Sequence, residues 1–182
     1  MRIGLSQLIL NHNGQPHDAI DHGWYSILTG HSLYFLPNTG HQAFDHVANN
    51  LDSLILTGGE SCDLRRKVEL SLANKMIERN KPVVGVAQGA LLIADLLGSI
   101  LEPDKKHITP SYPIIYHGEV IEVVGDHTTR ILKNQPNVEV LCSDYNGYTE
   151  AFIKGNVAGV LWNPERMPKP WIPPEIALIL RI

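Results

Sequence analysis

The first half of the chain alternates between short apolar runs and segments with the spacing of an amphipathic helix. The apolar runs predict strands, and turn-forming residues such as Gly30, Pro37 and Gly58 bound them. The segments between the runs place apolar residues on one helical face. The predicted strands are 3–8, 32–36, 51–57 and 82–86, and the predicted helices are 17–28, 43–48, 64–80 and 90–97, with a loop at 11–16.

Strands that alternate with helices predict a parallel sheet with helices on both faces. Ligands bind such sheets at the carboxyl ends of the strands. The loops that follow Thr57 and Val86 would both lie at that edge. We therefore expect a binding cleft where these two loops meet.

The second half of the chain has a different pattern, in which apolar runs are joined by short turns. It predicts strands at 114–124, 138–142, 149–153 and 157–162, a terminal helix at 175–180 and an irregular excursion at 98–116. Short connections favour antiparallel pairing. The predicted fold is thus α/β and flavodoxin-like, with a mostly parallel central sheet and antiparallel additions in the second half.

Length, charge and cysteine usage narrow the function classes. A chain of 182 residues is predicted to form a single domain, residues 1–182. The formal net charge of −4, without a basic run, argues against nucleic acid as a partner. No apolar run reaches the length of a membrane span, and the first apolar stretch is too short for a signal peptide. Cys62 and Cys142 offer no disulfide framework, which favours the cytoplasm.

The junction between the strand at 82–86 and the helix at 90–97 has the frame of a nucleophile elbow. Gly85 and Gly89 would let the backbone turn sharply and push residue 87 into the cleft. Chemistry at such a turn needs Ser or Cys at that position. This chain has Ala87, whose methyl group cannot attack a substrate.

Several segments in order along the chain are similar to those of one superfamily. They are His17-Asp-Ala-Ile-Asp21 with Trp24, Leu36-Pro-Asn38, Leu56-Thr-Gly-Gly59, Arg65 with Glu69, Gly85-Val-Ala-Gln-Gly89 and Gly159-Val-Leu-Trp-Asn-Pro-Glu165. On these motifs the chain resembles the class I, triad-type glutamine amidotransferases. It looks closest to the gamma-glutamyl hydrolase-like branch.

The resemblance implies a Cys nucleophile, a His base and a Glu that orients the His, with backbone N–H groups as an oxyanion hole. Here the nucleophile position is Ala87, the base position is Asn163 and the orienting position is Glu165. The oxyanion donors would come from Gly59 and Gln88. The candidate ligand-binding residues are Gly58, Glu60, Leu91, which replaces the family's Gln, and Tyr145, which ends a Cys-Ser-Asp-Tyr segment where the branch has Asn-Ser-x-His.

This pattern predicts an amidotransferase-like protein that has lost its glutaminase chemistry and binds a small amino-acid or gamma-glutamyl ligand, or a protein partner. Because several sites depart together, natural loss explains Ala87 better than one engineered replacement. One alternative is an active hydrolase or transferase of gamma-glutamyl compounds that uses other residues, with Cys62 as a relocated nucleophile. Another is a structural or regulatory subunit. The resemblance implies no cofactor.

A few polar features allow more than one interpretation. Histidines and acids near residues 12–22 could hold a metal, although a first-turn acid cluster on a helix is the simpler account. Residues 58–60 could bind a phosphate or carboxylate, or could only permit a tight turn. Trp162 and Trp171 could stack on a ligand, but packing is favoured. Arg65 and Glu69 could be a surface pair or an anchor beneath the cleft.

Overall fold

The described part of the chain is built around one large mixed sheet. The computed structural model describes residues 1–39, 44–103, 111–125 and 127–182. Within those ranges, eleven strands form the main sheet and two more form a separate hairpin. The strands are β1 Arg2–Ser6, β2 Leu8–His12, β3 Gln15–Ala19, β4 Ser32–Leu36, β5 Ser53–Leu56, β6 Val83–Val86, β7 Ile100–Pro103, β8 Ser111–Tyr116, β9 Glu119–Val124, β10 Thr129–Lys133, β11 Glu139–Ser143, β12 Thr149–Lys154 and β13 Val157–Val160.

The order of the strands explains where the cleft forms. Strands β4, β1, β5, β6 and β13 lie side by side and run parallel. Strands β12, β11, β8 and β9 continue the sheet with antiparallel pairing. A β7–β10 ladder joins at β12. The predicted α/β fold with antiparallel additions in the second half is confirmed.

Helices cover both faces of the sheet, and alternate side chains of each buried strand reach opposite cores. Leu54 and Leu56 point to one core, which includes Leu72, whereas Ile55 points to the other, which includes Trp24. The side chains of these five residues are fully buried. The helices are α1 Gly23–Ile27, α2 Phe44–Asn50, α3 Asp63–Glu78, α4 Gln88–Leu96 and α5 Pro174–Leu180, with a 3₁₀ helix at Pro164–Arg166.

The helix predicted at 17–28 and the loop predicted at 11–16 are wrong. Residues 8–19 form the β2–β3 hairpin, and only Gly23–Ile27 is helical. Asn13 and Gly14 have φ values of 51° and 75°, so they form the two-residue turn with positive φ that fits the twist of paired strands. The strong local turn preference of Asn-Gly outweighs the weak helical spacing that follows it.

The second half has more strands than the sequence predicts. The single strand predicted at 114–124 is two strands, because His117 and Gly118 form another turn with positive φ. The stretch predicted as irregular contains all of β7 and β8, while residues 104–110 lie outside the described part. Strand β10 was not predicted. Ala43, where the second helix was predicted to begin, also lies outside the described residues.

None of the helices within the described ranges has the length and apolar character to cross a lipid bilayer.

Candidate functional site

The turn between β6 and α4 has the geometry of a nucleophile elbow. Ala87 has φ 48° and ψ −111°, a conformation that L-residues rarely adopt. A Cβ on Gly85 would clash with the Gly89 backbone, and one on Gly89 would clash with the Leu56 carbonyl. The glycines therefore permit the turn. The Ala87 backbone N–H donates to the Val160 carbonyl oxygen at 2.8 Å, which ties the elbow to β13.

The strain at Ala87 leads to a stability prediction. Ala87→Gly should raise the free energy of unfolding by about 1 kcal/mol, because relief of roughly 1–3 kcal/mol of strain exceeds the added chain entropy of glycine. Ala94→Gly in α4 is the control and should lower it by about 1 kcal/mol, since Ala94 has ordinary helical geometry. Urea denaturation measures both. A loss of stability in Ala87→Gly similar to that of the control would contradict the strain argument.

Three of the predicted positions converge at the carboxyl ends of β5, β6 and β13. A Cβ built on Gly58 would lie 2.6 Å from Asn163 Nδ2 and 3.3 Å from the Ala87 Cβ. Glycine at this position therefore leaves the space between the nucleophile and base positions open. The structure brings Gly58, Ala87 and Asn163 together, while their roles in a site stay predictions.

Asn163 and Glu165 form a buried pair on the turn after β13. The Asn163 Nδ2 group donates to Glu165 Oε1 at 2.9 Å. Glu165 Oε2 is buried and has no hydrogen-bond partner among the described residues. Burial raises the pKa of Glu165, and the hydrogen bond from Asn163 opposes the shift. An amide at position 163 thus makes the contact to Glu165 that an imidazole N–H would make, but it has no basic nitrogen to accept a proton.

A buried ion pair lies beneath the loop at 57–60. Arg65 Nε donates to Glu69 Oε1 at 2.9 Å, and the two side chains are 0% and 2% exposed. Arg65 also donates to the carbonyl oxygens of Thr57 at 2.6 Å and Glu60 at 3.2 Å. Ser6 Oγ donates to the same Glu69 oxygen at 2.7 Å. Of the two interpretations of this pair, the structure supports the anchor, because Arg65 holds the loop on which Gly58 and Gly59 lie.

These elements surround a cavity of 450 Å³ that we call the elbow cavity. The predicted residues that line it are Gly59, Glu60, Ala87, Gln88, Leu91 and Asn163. Gly58 is not among the lining residues, nor is Tyr145, which is 64% exposed, so ligand binding by Tyr145 stays a prediction. Sequence reasoning missed the remaining lining residues His127, Thr128, Thr129 and Arg166.

His127 belongs to a buried polar cluster beside the elbow cavity. Its Nδ1 lies 2.9 Å from the Thr129 carbonyl oxygen, which only accepts, so Nδ1 donates a hydrogen bond there. Its Nε2 lies 3.2 Å from the Tyr112 hydroxyl, which donates to Glu150 Oε2 at 3.0 Å. Glu150 Oε1 has no hydrogen-bond partner within the described ranges. The cluster fixes one wall of the elbow cavity. In the sequence, this cluster is indicated only by the position of His127 in the loop that follows β9.

The acids near the start of the chain do not cap a helix. Asp18 lies on β3, where its carboxylate accepts hydrogen bonds from the Asn38 backbone N–H and side-chain amide at 3.1 and 2.6 Å. Asp21 precedes α1 and accepts from Arg166 Nε and Nη2 at 3.1 and 2.9 Å. The interpretation as a first-turn acid cluster is therefore wrong, because the residues around Asp18 form a strand. Among the described residues, no three His, Cys, Asp or Glu side chains are grouped to hold a metal.

The two cysteines lie away from the elbow. Cys62 is exposed at the N-cap of α3 and is not among the residues that line the elbow cavity. Cys142 is buried on β11, and burial raises the pKa of its thiol to about 12, which suppresses the thiolate. Trp162 is fully buried and its ring stacks on Trp171 with centroids 5.5 Å apart. Packing thus accounts for the two tryptophans.

Comparison with known proteins gives one sequence match and several structural ones. No protein-family model matches the chain. Over 51 residues the chain is 45% identical to pyridoxal 5'-phosphate synthase subunit PdxT of Haemophilus ducreyi. The match spans 26% of this chain and only 25% of that protein.

Two solved structures share the fold. A glutamine amidotransferase from Thermotoga maritima aligns with a TM-score of 0.71 at 13% identity, over 90% of this chain and 76% of that one. A protein assigned as a GMP synthase subunit from Thermoplasma acidophilum aligns with a TM-score of 0.70 at 19% identity, over 91% and 84%. The fold that the sequence motifs predict is thereby confirmed.

Proposed function

We propose that this chain, which has the class I glutamine amidotransferase fold, binds a glutamine-like or gamma-glutamyl compound without hydrolysing it. The observation that carries the proposal is the methyl group of Ala87 at an elbow that keeps its strained geometry. Hydrolysis in this superfamily needs a thiolate and a base, and the corresponding positions hold an alanine and an amide. An oxyanion hole alone gives roughly 10³–10⁴-fold over water, which is too little for a useful amidase.

The candidate donors to the ligand's carbonyl oxygen are the backbone N–H groups of Gly59 and Gln88. Gln88 begins α4, and the first N–H groups of a helix have no partner within the helix. Gly59 has φ 104° on a loop that Arg65 holds. Both residues line the elbow cavity. A ligand carbonyl above Ala87 could therefore accept hydrogen bonds while no attacking atom is present. A gamma-glutamyl ligand and a cytoplasmic location, both expected from the sequence, are parts of this proposal.

Calorimetric titration with glutamine and gamma-glutamyl amides tests the proposal, with ammonia and amine release measured in parallel. We expect saturable binding and release no faster than a buffer blank. Thr128→Trp fills the elbow cavity from an exposed position and should weaken binding at least about tenfold, since the bulky ring competes for the same volume. Thr29→Trp, also at an exposed position, is the matched control and should bind normally.

Two outcomes would overturn the proposal. The first is no binding of any compound in the series. The second is release above the blank, which would favour an active hydrolase; its loss in Cys62→Ala would identify a relocated nucleophile.

A non-catalytic subunit is a second candidate function. It is favoured by two of the similar proteins, which are themselves described as subunits. Light scattering of the purified chain and co-purification from its source would test it. A monomer that co-purifies with no other protein would count against this candidate.

A further inference from the structure

A second cavity of 450 Å³ adjoins the elbow cavity, and we call it the hairpin cavity. Gly59, Glu60 and Arg166 line both, so the two are continuous along this edge of the sheet. The rest of the hairpin cavity is mainly aliphatic. Its apolar lining residues are Leu8, Ile9, Leu10, Ala19 and Ile20.

Gly59 lies on the border of the two cavities and packs closely against Leu8 and Arg65. A Cβ on Gly59 would lie 3.1 Å from both the Leu8 Cβ and Arg65 Nη1. Because Gly59 also has a positive φ of 104°, a larger residue would be both crowded and strained there. Glycine at this position is therefore required by the turn of the loop and by its close packing against Leu8.

Contacts at the base of the hairpin, before β2 and around the end of β3, hold the aliphatic wall. At its base, Asn38 donates to Asp18 and to the Gln7 carbonyl oxygen at 2.8 Å. After β3, Asp21 holds Arg166, which lies on the border of the two cavities. The wall is therefore held in place before any ligand arrives, which lowers the cost of binding.

We infer that the hairpin cavity binds an uncharged alkyl substituent on the amide nitrogen of a gamma-glutamyl ligand whose amide lies above Ala87. This inference rests on the proposed function and adds the binding site for the group on the ligand's amide nitrogen. Aliphatic side chains favour an alkyl group because its burial removes apolar surface from water. The carboxylate of Glu60, together with the paired Asp21 and Arg166, leaves a negative charge that disfavours an anionic substituent.

Titration with glutamine and with gamma-glutamyl methylamide, butylamide and hexylamide tests the inference. Each added methylene should tighten binding by about two- to fourfold in the wild-type chain, the size expected from burial of a methylene group. Leu10→Asp places a charge in the hairpin cavity at a side chain that is 53% exposed, so folding should be preserved. This variant should bind glutamine normally and lose the dependence on chain length. Ile20→Ser is a second variant with the same expectation.

Leu132→Asp is the matched control, because Leu132 is 45% exposed on β10 and lies outside both cavities. It should keep the wild-type dependence on chain length. Binding of glutamine without any such dependence would overturn the inference and leave the proposed function standing. A dependence that survives in both Leu10→Asp and Ile20→Ser would also overturn it. Failure of every compound to bind would overturn the proposed function and the inference together.

Discussion

Ala87→Cys combined with Asn163→His is expected to give the chain glutaminase activity at least about 10³-fold above the wild-type background. The elbow already places residue 87 beside Gly58 and position 163. Glu165 already accepts a hydrogen bond from the side chain at 163 at 2.9 Å, so it could orient an imidazole in the same way. Ammonia release from glutamine under saturating conditions is the measurement.

The single variants are the controls for this experiment. A nucleophile without its base, or a base without its nucleophile, should stay near the background, because the residues of a triad act as a unit. Glu165→Gln, added to the double variant, should reduce its activity about tenfold or more. A folded double variant that binds glutamine but releases no ammonia would show that hydrolysis needs more than these two side chains.

Arg65→Met is expected to lower the free energy of unfolding by about 3–5 kcal/mol, since it leaves the Glu69 carboxylate buried without its partner. Burial already raises the pKa of Glu69, and the positive charge of Arg65 opposes this shift. The same change removes the donors to Thr57 and Glu60 that hold the loop at 57–60. Denaturant unfolding followed by circular dichroism measures the loss.

A neighbouring arginine provides the control for this prediction. Arg66 pairs with Asp95 at 2.6 Å, but the two side chains are 43% and 49% exposed. Arg66→Met should therefore cost less than about 1 kcal/mol. The double variant Arg65→Met with Glu69→Leu should be more stable than Arg65→Met alone, because no charge remains buried. Equal losses in Arg65→Met and Arg66→Met would show that the buried pair does not stabilise the fold.

The parallel half of the sheet could be predicted because its strands are buried on both faces and read as continuous apolar runs. Leu54 and Leu56 pack into one core and Ile55 packs into the other. All three positions are therefore apolar, and the continuous apolar run indicates a buried strand. The hairpin at 8–19 could not be recognised by hydrophobic pattern, since most of its side chains are exposed. Its signal was the local turn chemistry of Asn13 and Gly14.

In the candidate site, too, some residues could be predicted from local sequence and others could not. Ala87, Gly58 and Asn163 could be predicted because each lies in a short motif with a demanding backbone geometry. His127 and Arg166 could not, because they reach the elbow cavity through long-range packing. Arg166 pairs with Asp21, and His127 contacts Tyr112. The residues next to Arg166 and His127 in the sequence do not indicate these distant partners.

The open tip of the hairpin has a practical consequence. A Cβ on Gly14 would meet no atom within 4 Å, so this turn projects into solvent while the strands below it form the wall of the hairpin cavity. Exposed tips of this kind tolerate attachments that would disrupt a packed element. An environment-sensitive fluorophore on the neighbouring Asn13 would sit at the end of that wall, where its emission could report occupancy of the cavity by molecules that undergo no chemical change.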